Sequence, residues 1–419
     1  MLKRYIAIPI LAGLISLSSG AQAAPLASAY EMLVNLYNID VNAGRVAFVS
    51  TRIPMGGTAY SMGQAYTAVC NDASFLESNP AGSAVLPNTE LALYHNNWIA
   101  DTRIEGLVYA NRIGNLGLSL GGKWIYLPFT EYNDFAGRTA TGYYSEMLAI
   151  GNASWHFFPG YYFYGLVAGA NVKLAYRSVP DYADENGNVM VGSGASQSAL
   201  AIMVDAGLLT RFNLFKLYSS REKNFSAGLT VRNLGPPSRD EALPSVATLG
   251  LAWSPLRPFI ISADFNLPFN LLDISESEDF YLGFGYSMTI TDFWDLQAGL
   301  LLDGGPRLTI GSAIKVNPLI LVINYTLDLA TSTTPLNRLS IEARFDMGDS
   351  GRKAKARQVD DLYILGLEAY ARGDINQCIA YWQEALDMNP YFDPAREGIE
   401  TALAALRLQQ RVLEIQRLE

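Results

Sequence analysis

From Thr89 to Met347 apolar and polar residues alternate in segments of about ten residues, separated by turn signals, with almost no helical periodicity. Fourteen such segments are predicted as strands: 89–97, 102–113, 115–126, 143–156, 161–176, 198–212, 224–233, 243–253, 257–266, 279–290, 293–303, 306–316, 318–328 and 337–347. In "LNRLSIEARFDM" one face carries Leu339, Ile341, Ala343, Phe345 and Met347, and the other Arg338, Ser340, Glu342, Arg344 and Asp346. "PFIISADFN" and "RLTIGSAIKV" split in the same way, Phe259, Ile261, Ala263 and Phe265 standing opposite Ser262, Asp264 and Asn266, and Leu308, Ile310, Ile314 and Val316 opposite Thr309 and Lys315.

Alternation alone fits a soluble sandwich as well as a membrane barrel, because both turn an oily face away from a polar one. The connections separate them. If the first strand starts on the periplasmic side, the outward connections include "LPFTEYNDFAGRTATG", Arg177 to Gln197, "LGPPSRDEA" and "NLPFNLLDISESED". The inward ones are mostly tight: Gly114, "FPGY" at 158–161, "SPLR" at 254–257, Thr291 with Asp292, and Asn317. Short inner turns alternating with long outer loops are the pattern of an outer-membrane barrel. Two connections break it, "NLFKLYSSREK" being long on the inner side and "DGG" at 303–305 short on the outer. Trp98, Trp124, Trp155, Trp253 and Trp294 fall near strand ends, as an interfacial girdle requires, and "YYFY" at 161–164 adds to it.

A membrane sheet must close, since no backbone group can stay unpaired in lipid. Fourteen strands enclose more space than wall side chains fill, so a plug is expected. Residues 24–88 precede the first strand and are assigned to it. They open with a short predicted helix from Leu26 to Leu36 and continue through Gly56, Gly57 and Gly63 to "SNPAG" at 78–82.

Those residues carry a likeness. "GGTAYSMGQAYTAVCNDASFLESNPAG" followed by a many-stranded barrel resembles the FadL-type outer-membrane transporters of hydrophobic compounds and their PorV-like relatives. The matching positions are Met62, Gly63, Ala65, Tyr66, Thr67, Ala68, Val69, Asp72, Ala73, Ser74, Asn79, Pro80, Ala81 and Gly82, with departures at Gln64 and Cys70. The resemblance implies a monomeric barrel of fourteen strands blocked by an N-terminal hatch. It also implies a hydrophobic ligand, such as a long-chain fatty acid, that enters from outside and leaves sideways into the membrane. No residue here can be assigned to ligand contact or to the gap in the wall. The rival expectation is a PorV-like adaptor that binds other proteins and transports nothing.

The two ends add domains. Lys3 and Arg4 ahead of an apolar run from Tyr5 to Leu17, with small residues around Ala21 and Ala23, predict a signal peptide over 1–23. Beyond the barrel, 348–358 is polar and basic, with Arg352, Lys353, Lys355 and Arg357, and is expected as a linker. Helical periodicity then runs over 359–419. "LYILGLEAYARGDINQCIAYWQEALDMNP" resembles one tetratricopeptide repeat, with Leu362, Leu365, Gly366, Gly373, Trp382, Ala385, Leu386 and Pro390 at its large, small and terminating positions, and a further helix from Pro394 to Leu418 would cap it. One repeat and a cap bury little surface, so this periplasmic tail is expected to dock on its own barrel or to recruit a periplasmic protein, and Leu365, Gly366, Trp382, Ala385 and Pro390 mark the candidate partner-binding unit.

Charge and chemistry change little. Without Lys3 and Arg4, 28 of the 30 basic residues remain against 40 acidic ones, which supplies no basic field for nucleic acid. The two cysteines, Cys70 and Cys378, cannot form a disulfide framework; a single bridge between them is one alternative and two buried free thiols the favoured one. His95 and His156 are the only histidines, and His95 reads as a hydrogen-bonded wall residue. No nucleophile motif, phosphate loop or zinc spacing occurs, so neither an enzyme nor a cofactor or metal is expected. The partners expected are a hydrophobic small molecule, the surrounding outer-membrane lipid and a periplasmic protein.

Overall fold

The computed structural model describes residues 40, 42–99, 101–132, 137–184, 188–329 and 336–418; the predicted signal peptide and the helix expected from Leu26 to Leu36 lie outside them. Fourteen antiparallel strands close into one barrel, each paired with its neighbours in sequence and β1 with β14. They are β1 (Glu90–Asn97), β2 (Arg103–Ile113), β3 (Leu116–Tyr132), β4 (Arg138–Phe157), β5 (Leu166–Ser178), β6 (Ala199–Phe212), β7 (Phe225–Leu234), β8 (Ser245–Trp253), β9 (Phe259–Phe269), β10 (Tyr281–Thr291), β11 (Trp294–Leu302), β12 (Pro306–Val316), β13 (Leu319–Asp328) and β14 (Leu336–Asp346).

The direction of the alternation identifies the solvent. On β14 the charged face is the buried one: Arg338, Ser340, Glu342 and Arg344 point inward, while Leu339 and Phe345 are exposed on the outside. The same inversion holds around the cylinder, with Leu107, Leu120, Val172, Ile202, Leu229, Leu249, Phe265, Phe284, Ile310 and Ile323 all exposed. A predominantly apolar exterior around an interior that buries charged and polar residues is a transmembrane barrel, and a soluble sandwich would present the reverse.

Two strands are longer than expected. "LPFTEY", read as loop, continues β3, and β4 begins at Arg138, because Tyr126 through Glu131 stay in register with Ser145 through Ala140 as a projecting hairpin. β5 starts only at Leu166, so "YYFY" is not strand but turn. Of the tryptophans, Trp124, Trp155 and Trp294 are exposed on the outer face. Trp98 is not a girdle residue: its ring lies under the Arg338 guanidinium, 3.6 Å from the ring centre.

The segment ahead of β1 runs the height of the lumen. At the far end Asn42 donates to the Ser277 carbonyl oxygen (3.0 Å) and Arg52 pairs with Glu278, both in the β9–β10 loop. The chain then makes two short helices, α1 (Gly57–Ser61) and α2 (Phe75–Ser78), and a 3₁₀ turn, Pro80–Val85, before entering β1. A further short helix, α3 (Ser193–Gln197), sits in the β5–β6 loop.

Beyond the barrel come α4 (Arg352–Ala371), α5 (Ile375–Met388) and α6 (Asp393–Leu418). The stretch expected as a linker, 348–358, is therefore helical from Arg352 onward, since a basic run with no proline or glycine after Gly351 favours helix. These helices pack on the barrel end that carries the start of β1 and the end of β14, here the tail end. Arg352 donates to the Arg112 and Pro87 carbonyl oxygens at 2.7 and 2.8 Å, Arg221 pairs with Asp360, and the Tyr161 ring meets Phe392 edge-on at 5.4 Å. The two long tail-end connections, β4–β5 around Tyr161 and β6–β7 around Arg221, thus hold the tail, together with the contacts of Arg352 to Arg112 and Pro87. "NLFKLYSSREK" breaks the short-turn rule because it is a docking loop.

Candidate functional site

The lumen is built by the fit of the hatch against the inward faces of the strands. Asn79 caps the Pro80–Val85 turn, its Oδ1 accepting from the Ala81 amide (3.0 Å). Its Nδ2 donates to the Thr67 carbonyl oxygen and, across the lumen, to that of Leu208 in β6. The Pro80 carbonyl accepts from Asn152 of β4 (2.9 Å). Where backbone meets backbone the wall offers glycine: a Cβ on Gly169 would lie 2.3 Å from the Pro80 carbonyl oxygen. From the hatch side Gly63, at φ +60°, presses on β10 and β11, where a Cβ would lie 2.7 Å from the Phe284 carbonyl oxygen.

The remaining motif residues serve the same fit. Met62 is buried with Tyr66, Val69 and Ala252, Ala81 is fully buried, and Gly82 lies flat against the Phe75 ring. Asp72 accepts from the Ser74 amide (2.9 Å) and forms a buried ion pair with Arg344 of β14. Burial pushes the Asp72 carboxyl up, and the Arg344 guanidinium together with hydrogen bonds to the carboxylate, the Ser74 amide's among them, outweighs this and holds it below the usual carboxylate range. The structure brings all seven hatch residues into one body. Of the tail residues, Gly366, Trp382 and Ala385 meet in its core, with Trp382 Nε1 donating to the Tyr363 carbonyl oxygen at 3.1 Å. Pro390 accepts from Arg396 at the α5–α6 turn, whereas Leu365 points outward, exposed, and takes no part in that core.

The two sides of the hatch differ in a way no motif announced. Toward β9–β14 it meets polar wall: Asp264 accepts from the Tyr66 and Thr67 amides, Asn324 donates to the Gly57 carbonyl oxygen (2.8 Å), and Glu342 and Arg344 lie beneath Asp72. Buried charges of this kind persist only when paired. The one signal for them was a charged residue at every second strand position. Toward β1–β6 an apolar seam, with Met55, Phe75, Leu76, Val85 and Leu86 packed on Val108, Leu148, Ile150, Val167, Met203 and Leu209, runs between hydrogen bonds that join Asn152, Ser154 and Asn171 to the hatch. Lys123 with Glu77 and Lys173 with Asp205, each pair at 2.7 Å, are set into this seam as closed ion pairs.

The wall outside the seam is thin. Gly106 and Gly121 face inward against Met55 and Leu76, where a Cβ would sit 2.5 and 2.4 Å from their side chains. Over the same place, on the outer face, Gly122 leaves a groove of about 600 Å³ lined by Leu107, Leu120, Trp124 and Met147. The strands there remain fully paired. His95 lies on the outer face of β1, its Nδ1 2.9 Å from Glu105 Oε1, a wall residue with a hydrogen-bond partner.

A family model described as the uncharacterised protein family UPF0164 matches residues 26–348, the hatch and barrel together. The chain belongs to this family. A UPF0164 protein of Treponema pallidum (strain Nichols) is 28% identical over 385 residues, covering 88% of this chain and 85% of the relative. A second UPF0164 protein of that organism is 26% identical over 395 residues, covering 85% and 76%. Among solved structures this UPF0164 chain is similar to the CymD monoaromatic hydrocarbon channel (TM-score 0.47, 11% identity, 71% of this chain and 98% of that one). It is similar also to the Pseudomonas putida toluene transporter TodX (TM-score 0.45, 14% identity, 68% and 95%).

Proposed function

We propose that this UPF0164 protein is a monomeric outer-membrane barrel through which hydrophobic small molecules, long-chain fatty acids among them, pass between hatch and wall. They would leave sideways across β2–β4 into the bilayer. The observation that carries the reading is the thin place: an apolar seam inside and an apolar groove outside, separated by glycine positions with no side chain to fill the wall. A downhill gradient and graded apolar contact drive such flux without an energy source. In this reading residues 1–23 direct export, the tail end faces the periplasm, and α4–α6 form one tetratricopeptide-like unit with its cap.

Uptake of labelled long-chain fatty acid by liposomes holding the purified protein tests the proposal. Leu120→Trp, which would fill the groove from the outer face, is expected to cut uptake by roughly tenfold while the barrel stays folded. Unchanged uptake would remove the lateral route, and large steady currents in planar bilayers would replace the whole reading with an open porin. A second reading, an adaptor that binds proteins and transports nothing, has one observation in its favour: Leu408, Val412 and Ile415 form an exposed apolar stripe on α6. Co-purification of a stable periplasmic complex with no bound lipid would select it.

A further inference from the structure

Beneath the hatch, at the tail end, lies a chamber that the seam and the groove do not include. One lobe, about 520 Å³, is roofed by Val69, Asn71, Val85 and Pro87 of the hatch. A second, about 580 Å³, is floored by Val359, Asp360, Tyr391 and Phe392 of the tail. The lobes share Gly160, Tyr161, Arg221 and Lys223 and so adjoin each other between hatch and tail.

Its lining is two-natured. Val69, Ala252 and Ile260, the edge of the apolar cluster around Met62 and Tyr66, form one side. The other is cationic, with Arg211, Arg221 and Lys223 on the wall and Arg352 next to Pro87. In a chain with a net charge of −10 this concentration of positive charge is out of character. Arg211 and Lys223 form no ion pair among the described residues: Arg211 donates to the Val69 carbonyl oxygen (3.1 Å) and Lys223 to that of Tyr162 (2.9 Å). Arg211 Nε is buried with no hydrogen-bond partner among the described residues, so it is free to donate to an acceptor that enters the chamber. Against these cations stand Glu222, in the lining, and Asp360, which takes Arg221.

We propose that this chamber binds the anionic head of a single-chain amphiphile, with Arg211, Arg221 and Lys223 holding the head and the hatch underside at Val69, with Ala252 and Ile260, receiving the start of the chain. Two cations without carboxylate partners among the described residues, Arg211 and Lys223, beside a third shared with Asp360 and next to an apolar edge, suit a carboxylate or phosphate joined to an alkyl chain. Neither a neutral hydrocarbon nor a bare anion satisfies both sides. The proposal deepens the transport reading by naming the head group, and rests on it only for the route by which the amphiphile arrives.

The test uses the full chain in a non-ionic detergent, with dodecanoate, dodecanol and inorganic phosphate as probes. Dodecanoate is expected to bind at least about tenfold more tightly than either of the others. A photoreactive dodecanoate should cross-link to Val69, Ala252 or Ile260. The double variant Arg221→Gln with Lys223→Gln should lose about tenfold in dodecanoate binding and leave dodecanol unchanged. Asp360→Asn, which breaks the same tail contact while keeping every cation, should bind dodecanoate as well as the parent or better, separating loss of charge from loss of the tail. Equal binding of dodecanoate and dodecanol, phosphate binding as tight as dodecanoate, or an unaffected double variant would each overturn the proposal. If the double variant still passes a neutral hydrocarbon into liposomes, the transport reading survives that failure. If dodecanoate binds here and no hydrophobic compound passes, transport falls and the chamber stands.

Discussion

Asn79 Nδ2 lies 2.8 Å from the carbonyl oxygen of Thr67 within the hatch and 3.1 Å from that of Leu208 in β6, so one amide ties the "SNPAG" turn both to its own body and to the wall. Replacing Asn79 by Ala leaves two buried carbonyl oxygens and the Ala81 amide without this partner, at a cost of about 2–4 kcal/mol to hatch seating. Asn79→Ala should fold as a barrel, melt earlier in detergent and show brief current spikes in planar bilayers that the parent lacks.

The Asp72–Arg344 pair gives the second expectation. Arg344→Met strands Asp72, Glu90 and Glu342 around one buried spot without their cation and should destabilise by about 3–5 kcal/mol, whereas the triple variant Asp72→Asn, Glu342→Gln, Arg344→Met should recover part of it. The pH dependence follows from Asp72, whose carboxyl is held low in the folded protein. Its stabilising contribution is complete above the ordinary carboxylate range and disappears as pH falls through its lowered folded value. Melting temperature should therefore drop in acid, and the Asp72→Asn variant should show less of that drop.

Cys70 and Cys378 are both buried and unpaired. Burial raises the Cys70 thiol, which reaches only the Tyr66 and Thr67 carbonyl oxygens at 3.5 and 3.4 Å. A thiol reagent should find neither cysteine in the folded protein and both after denaturation, with no change on adding reductant. Detection of an intramolecular bridge would contradict the structure.

The tail rests on Trp382, flanked by the Tyr363 and Tyr370 rings at 6.1 Å and by Gly366 and Gly398. Trp382→Ala should cost the helical unit about 3–5 kcal/mol. Trypsin should then remove the residues after Lys353 while leaving the barrel intact, which gel analysis under non-denaturing conditions would read directly.

How far the chain could be read without its structure depended on how local each feature was. Strict alternation in "LNRLSIEARFDM" located β14, because a period of two is visible in any short window; which face was buried was not visible, since closure is a property of all fourteen strands. The β3–β4 extension was missed where Pro128 and Gly142 look like turn residues, yet a pairing that continues past the wall tolerates both on an edge-exposed hairpin. The hatch motif was legible as a motif, but Asn79 and Leu208 are 129 positions apart, and no window joins them. The apolar seam escaped for the same reason: its members come one or two at a time from the hatch and the early strands. In the tail, the repeat-like spacing gave Gly366 and Trp382 as a small and a large position without joining them, and the structure packs one on the other, while the outward turn of Leu365 reflects the absence of a further helix on that side among the described residues.

Arg344 belongs to the final strand to leave the ribosome, and Asp72 to a segment made long before it. Zipping the last edge of the cylinder therefore also delivers the cation that pairs with Asp72 in its stopper. A chain stalled before Glu342 would lack the closing edge and the cation beneath Asp72, although the stopper's ties to Asn152, Leu208 and Asp264 would already be within reach.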